Sequence, residues 1–397
     1  MNQKLAIHGG VPIRETMLPY GHQWISDDDI AAVIEVLRSD WLTTGPKVEE
    51  FERAFANFVR AKEAVAVSSG TAALHAAMFA LGVGSGDEVI VPAMTFAATA
   101  NCAVYQGGVP VFADVDPETL LLDPAQVREK ITSRTKAIVA VDYAGQPCDY
   151  DALRAITDRH SLSLVADACH SLGGSYRGCP VGSLADLNVF SFHPVKNVTA
   201  GEGGMITMED PELAKRVRVF RNHGIANDYR KREKQGSWLY EMVDLGYNYR
   251  LTDIQCALGM SQLRKLKVSV AHRQRIARRY DDAFAELPVV KPLCSRDYVS
   301  HGYHLYVIRL DLTQLRVTRA EVFAALRAEG IGVNVHYIPV HLHPFYREHF
   351  GIGPGDCPVA EAAYEQILTL PLFPAMSDQD VEDVVEAIFK VCVVYRR

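Results

Sequence analysis

The sequence predicts an α/β fold: a large, mostly parallel sheet covered by helices, followed by a smaller α+β unit. Three observations carry this. Short apolar runs alternate with helical stretches through the first two-thirds of the 397 residues. Several of those runs are apolar throughout, as expected of strands buried on both faces. The pattern then changes after Leu251 to a long helical stretch and a few mixed elements. Strand, helix, strand in repetition favours parallel pairing.

In chain order, a helix is predicted from about Asp27 to Arg38. Ser26 caps it, and Asp29 three positions later completes a capping box. Strands are predicted at Ala64–Ser68, Glu88–Val91, Val111–Val115, Ala137–Asp142, Ser163–Asp167, Asn188–Ser191 and Met205–Met208. Helical windows fall between them at Thr71–Leu81, Ala97–Gln106, Ala125–Ile131 and Tyr150–Arg159. A long helix from Thr252 to roughly Leu287 leads into a strand (His304–Leu310), a helix (Arg319–Glu329), a strand (Gly332–His336) and a last helix (Asp378–Cys392). The expected division is an arm (residues 1–18), a large sheet domain (19–262) and a small carboxy-terminal domain (263–397) that starts within the linker helix.

Composition excludes several classes of function. Hydrophobic residues at 48% and charged residues at 22% are ordinary globular values. A net charge of −7 does not attract nucleic acid or an anionic membrane. The short run Arg230-Lys231-Arg232 reads as solvated surface. The first residues lack the apolar run of a signal peptide. No stretch approaches the ~18 consecutive apolar residues that span a bilayer. The eight cysteines (102, 148, 169, 179, 256, 294, 357 and 392) are scattered with no C-x-x-C pair. They read as reduced thiols of a cytoplasmic protein without nucleic-acid or membrane partners.

Three segments carry chemistry. In Ser191-Phe192-His193-Pro194-Val195-Lys196, a strand ends in a serine and a lysine follows five residues later, before a glycine-rich return into another strand. A lysine so bracketed suits a Schiff base with a carbonyl. A free lysine is only roughly one part in a thousand neutral near neutral pH, so the site must lower its pKa. The bland alternative is a surface lysine beside a loop. In Val165-Ala166-Asp167-Ala168-Cys169-His170, Asp167 ends an apolar strand 29 positions before Lys196. There it either caps a helix or lines the crevice at the strands' carboxyl ends, where it can keep a pyridinium nitrogen protonated. In Val67-Ser68-Ser69-Gly70-Thr71, a strand enters a small-residue turn that opens a helix. Its amides suit a phosphate ester. It is neither G-x-G-x-x-G nor a P-loop, so a nucleoside triphosphate is not implied.

A phosphate cradle, a ring-nitrogen carboxylate and a Schiff-base lysine, in that order, resemble the aspartate-aminotransferase-like (fold-type I) pyridoxal 5′-phosphate enzymes. More narrowly, the chain resembles the DegT/DnrJ/EryC1/StrS sugar aminotransferases. The resemblance runs almost end to end, through Gly9–Arg14, Trp41–Pro46, Thr95-Phe96, Tyr143–Pro147, Arg221–Gly224, Gly246–Gln255 and Val335–His341. It implies that Lys196 forms the Schiff base and Asp167 pairs with the pyridine nitrogen. It implies His170 beside the phenolic oxygen, Phe96 stacked on the ring, and Gly70, Thr71 and Ser191 at the phosphate. It implies that Asn248 reaches the phosphate from the neighbouring subunit of a homodimer with two shared sites, and that Arg250 helps bind substrate.

The resemblance further implies transfer of an amino group from L-glutamate to a nucleotide-linked keto-sugar. Lys196 moves the proton as base and then acid. The Glu202-Gly203-Gly204 turn is expected around the sugar nucleotide. Ser191–Lys196, Asp142–Gly145 and His304–Tyr306 look most like the branch that makes UDP-4-amino-4,6-dideoxy-N-acetyl-β-L-altrosamine in pseudaminic acid biosynthesis. On that match Tyr20, Asp40, Trp41, Leu42, Thr43 and Tyr337 are expected to touch the sugar. Other nucleotide keto-sugars stay open as substrates, as does dehydration on the same fold. Known dehydrating relatives replace the lysine with histidine, and Lys196 argues against that. A third alternative is an idle homologue, which is expected to lose Asp167 or Lys196. His336, His341 and His343 have a spacing that invites a metal, but no cysteine or carboxylate cluster completes a site. A substrate-lining loop is the reading preferred, with no metal.

Overall fold

The computed structural model describes residues 4–226, 236 and 238–397; Arg230-Lys231-Arg232 lies outside the described residues. Its centre is a seven-stranded sheet. The strands are β1 (Glu63–Val67), β2 (Glu88–Pro92), β3 (Val109–Ala113), β4 (Thr135–Val141) and β5 (Ser163–Asp167). A small hairpin of β6 (Ser175–Tyr176) and β7 (Cys179–Pro180) follows. The sheet is completed by β8 (Leu187–Ser191) and β9 (Gly204–Met208), giving the order β1-β9-β8-β5-β4-β2-β3.

Strands β3, β2, β4, β5 and β8 pair in parallel. Strand β9 runs antiparallel to both β8 and β1. Two reversals leave β1 pointing the same way as β8. The carboxyl ends of β1, β2, β4, β5 and β8 therefore lie on one edge of the sheet. In open α/β sheets that edge is where ligands bind. It carries the turn at Ser69-Gly70, the turn at Thr95-Phe96, and Tyr143, Asp167 and Ser191.

The strands are apolar because both faces are covered. Val65, Val67, Ile90, Val91, Val139, Val165 and Val189 are fully buried. One covering helix, Gly70–Ala80, is buried nearly all round, and its alanines let it approach the sheet closely. The helix Asp27–Leu37 carries the predicted Ser26/Asp29 capping box. Asp29 is itself buried and paired with Lys265 of the long helix Asp253–Phe284.

That helix leads to an antiparallel sheet of β10 (Val290–Pro292), β12 (Tyr306–Leu310) and β13 (Ile367–Leu370). Between the first two, β11 (Val299–Ser300) pairs back onto β6. The helices Arg319–Ala328 and Asp378–Tyr395 contribute their apolar faces to the same core. Buried Glu329 accepts hydrogen bonds from the amides of Ala6 (2.8 Å) and Ile13 (3.1 Å) and pairs with Lys390 Nζ at 2.8 Å. This straps the amino-terminal arm to the second core and delivers Tyr20 and Gly21 to the cleft beside Val195.

One expectation is corrected. Gly332–His336 is not a strand: Ile331 and Asn334 each make a single isolated bridge, to Leu18 and Thr369. The Val333 amide turns back to the Ile331 carbonyl at 3.0 Å, and Asn334 Oδ1 takes the Val335 amide at 2.8 Å. Both local bonds replace ladder bonds. The helices Pro46–Val59 and Pro211–Phe220, both with proline in the first turn, and strands β10 and β13 were not predicted.

Candidate active site

Asp167 sits at the end of β5, 6% exposed. No helix starts there. Its Oδ1 accepts the Cys169 amide at 3.3 Å, and its Oδ2 accepts the Thr99 hydroxyl at 2.7 Å. Thr95 and Thr99 hydroxyls lie 2.8 Å apart, so one short chain orients the carboxylate. The helix cap is thus excluded in favour of a carboxylate held at the mouth of the sheet.

Lys196 follows β8 through a turn in which its amide bonds the His193 carbonyl at 2.9 Å. The turn is anchored on both sides. Phe192 packs against Phe51 and Phe55, and the Asn197 amide group donates to the carbonyls of Leu172 and Gly302, both at 2.9 Å. The lysine Nζ lies 3.3 Å from His304 Nε2. Burial pushes its ammonium pKa below the ordinary value, against the weaker pull of Cys169 and Asp167.

Five aromatic rings complete the wall. His170 Nε2 is 3.1 Å from the Tyr337 hydroxyl, and its ring is 4.4 Å from that of His304. Tyr143 donates its hydroxyl to the His336 carbonyl. Burial, then the neighbouring Lys196 charge, holds both His170 and His304 well below the ordinary histidine pKa, so both are neutral. Phe96 is 61% exposed, its ring 6.0 Å from that of Tyr337.

These residues fit a flat, phosphorylated aromatic cofactor. The Nδ1 atoms of His170 and His304 are buried without a hydrogen-bond partner. A Cβ added at Gly70 would come within 2.9 Å of Ser191 Cβ, so only glycine leaves the gap between the β1 turn and β8 open. Ser69 caps the helix through the Ala72 amide at 3.0 Å. The amides of Gly70 and Thr71, in its first turn, have no intrahelical acceptor. Together these make an anion cradle.

Of the other predicted residues, Tyr20 is near, its ring 5.2 Å from His336. Asn248 is exposed and bridges Asn222, and Arg250 donates to Asn222 Oδ1 at 2.8 Å. Asp40, Leu42 and Thr43 are exposed and Trp41 is partly so. Thr43 bridges Thr252, and the Leu42 carbonyl takes the Asp253 amide at 3.0 Å. A surface cavity of about 890 Å³ has Thr44, Gly45, Asn222 and Arg250 on its walls, but not Lys196. The histidines considered for metal separate: His336 bonds Thr369 at 2.8 Å, while His341 pairs with Glu361 at 2.9 Å. Sequence reasoning missed Thr99 and Arg273, and named His304 only within a segment that carries the resemblance, with no role at the lysine. Thr99 had a signal, its i,i+4 spacing from Thr95.

A mostly parallel sheet with a half-buried lysine, a hydroxyl-oriented carboxylate and an anion cradle on its carboxyl edge is the arrangement of a fold-type I pyridoxal phosphate enzyme. The profile of the DegT/DnrJ/EryC1/StrS aminotransferase family matches residues 23–389, and the chain belongs to that family. It is 45% identical over 377 residues to the spore coat polysaccharide biosynthesis protein SpsC of Bacillus subtilis, covering 94% of this chain and 97% of SpsC. Among solved structures, Spr1654 of Streptococcus pneumoniae in its PMP form superposes with a TM-score of 0.90 at 34% identity, over 94% of this chain and 99% of the other. Helicobacter pylori PseC, an aminotransferase involved in the biosynthesis of pseudoaminic acid, superposes with 0.89 at 31% identity, over 96% and 100%.

Proposed function

We propose that the chain moves an amino group from L-glutamate to C4 of UDP-2-acetamido-2,6-dideoxy-β-L-arabino-hex-4-ulose, as a cytoplasmic homodimer using pyridoxal 5′-phosphate. The observation that carries the chemistry is Lys196 Nζ held at the sheet edge that also presents Asp167. Likeness to PseC along almost the whole chain supports the sugar.

Pyridoxal phosphate, when bound, supplies an electron sink for ionising the carbon–hydrogen bond next to the transferred nitrogen. The chain's residues do the rest. Asp167, fixed by Thr99, would keep a proton on the pyridine nitrogen. Neutral His170 would stand at the phenolic oxygen, and Phe96 would stack on the ring. Gly70, Thr71 and Ser191 would hold the phosphate, joined by Asn248 of the neighbouring subunit. The desolvated amine of Lys196 would take the proton from the amino acid's α-carbon, deliver it to the carbon on the other side of the transferred nitrogen, and run the same transfer in reverse on the sugar. Tyr20, Tyr337, the Asp40–Thr43 segment and Arg250 bind and orient the sugar nucleotide.

The relationship to SpsC favours a second reading, in which another nucleotide-linked keto-sugar is aminated for a polysaccharide. One experiment separates them: incubation with UDP-, dTDP- and GDP-linked keto-sugars plus glutamate, followed by mass spectrometry of the aminated products. Amination confined to a dTDP or GDP sugar would overturn the UDP assignment.

A further inference from the structure

We propose that His304 orients the amine of Lys196 and that Arg273 is the positioning residue behind it. This rests on the amino-transfer reading above. His304 is buried at 5% exposure, and Lys196 Nζ is the partner of its Nε2, while its Nδ1 has none. Its backbone is clamped from both ends. The Leu305 amide bonds the Ala144 carbonyl at 3.0 Å, and Gly145, at φ 112°, packs so closely that a Cβ would come within 2.9 Å of the His304 nitrogen. From the long helix, Arg273 Nη1 donates to the carbonyls of Tyr303 (3.2 Å), His304 (3.3 Å) and Leu372 (2.9 Å).

Arg273 is only 2% exposed and forms no ion pair among the described residues. Burying a guanidinium without a carboxylate is costly, and an apolar side chain would fill the same space more cheaply. Its placement has a use at His304. It fixes the carbonyl of the residue whose ring meets the lysine, and its charge adds to burial and Lys196 in opposing a proton on that ring. A ring kept neutral offers a lone pair to an Nζ hydrogen. It turns the nitrogen's own lone pair toward the cleft without removing its proton.

The test reads covalent capture, not turnover. Apo-protein is mixed with pyridoxal phosphate, quenched with borohydride at timed intervals, and the labelled Lys196 peptide is quantified by mass spectrometry. His304→Phe keeps the ring packing but not the lone pair, and should slow capture at least ~10-fold, since misorientation by about 1 Å can cost 10²-fold. His304→Gln should recover most of the rate. Arg273→Met should slow capture similarly, and adding it to His304→Phe should cost nothing more, because the two act through one contact. Equal capture by folded wild type and His304→Phe overturns the proposal, as do losses that multiply in the double variant. If Arg273→Met does not fold, Arg273→Lys takes its place in both the single and the double variant. Failure of the wild type to label at Lys196 would instead sink the amino-transfer reading.

Discussion

Thr99 donates its hydroxyl hydrogen to Oδ2 of Asp167 across 2.7 Å, joining the helix that follows Phe96 to the end of a central strand. The aromatic face and the carboxylate are thereby set by neighbouring parts of one short helix. A hydrogen bond to an ionised group is worth about 1.5–3 kcal/mol, enough to hold one rotamer.

Asp167→Asn should leave pyridoxal phosphate bound but slow both half-reactions, because an amide bonds the ring nitrogen without stabilising its proton. Thr99→Val, similar in shape, should slow them less. Stopped-flow absorbance with glutamate, and then with the keto-sugar, measures each half. Unchanged rates in Asp167→Asn would remove the carboxylate from the ring.

Gly70→Ala should weaken cofactor binding by roughly tenfold, equivalent to about 1.4 kcal/mol. The added methyl meets Ser191 Cβ at 2.9 Å, and either the turn or β8 must give way. Titration of apo-protein with pyridoxal phosphate, followed by fluorescence, reads the change. An unaltered affinity would place the phosphate elsewhere.

Lys390→Met should destabilise the fold by about 3 kcal/mol, since removing one partner leaves Glu329 buried with its charge unpaired. Urea unfolding measures this. A loss under about 1 kcal/mol would mean the two amides of the arm suffice for the carboxylate.

The shared-site reading predicts complementation. Lys196→Ala and Asn248→Ala proteins, each inactive, should regain activity when their subunits exchange. One site of a mixed dimer then carries both lesions and the other neither, giving up to roughly half the activity per mixed dimer if sites are independent. A mixture that exchanges yet stays dead would return Asn248 to its own subunit's site or couple the two sites.

What the sequence made legible follows from distance along the chain. Asp167, Lys196 and Gly70 each sit where a strand runs into a loop of small or polar residues, and apolar strands mark such places locally. The seven strands of the large sheet were legible for the same reason. Gly332–His336 misled because its apolar residues read as a strand, while the backbone turn at Val333 leaves no mark in side-chain pattern. His304 meets Lys196 across 108 positions and Arg273 meets His304 across 31, contacts that only the packed fold creates. Thr99 lies on a helix buried on most sides, where periodicity no longer distinguishes one face from another.

The most direct test of the account is transfer of labelled nitrogen. Protein is incubated with ¹⁵N-glutamate and UDP-2-acetamido-2,6-dideoxy-β-L-arabino-hex-4-ulose, and the sugar nucleotide is weighed by mass spectrometry. The account predicts a ¹⁵N-amino sugar with matching 2-oxoglutarate, and less than about a hundredth of that rate from folded Lys196→Ala, since loss of a general base alone costs at least ~10²-fold. Amination that persists in Lys196→Ala, or label that never reaches any nucleotide-linked keto-sugar with the wild type, would contradict it.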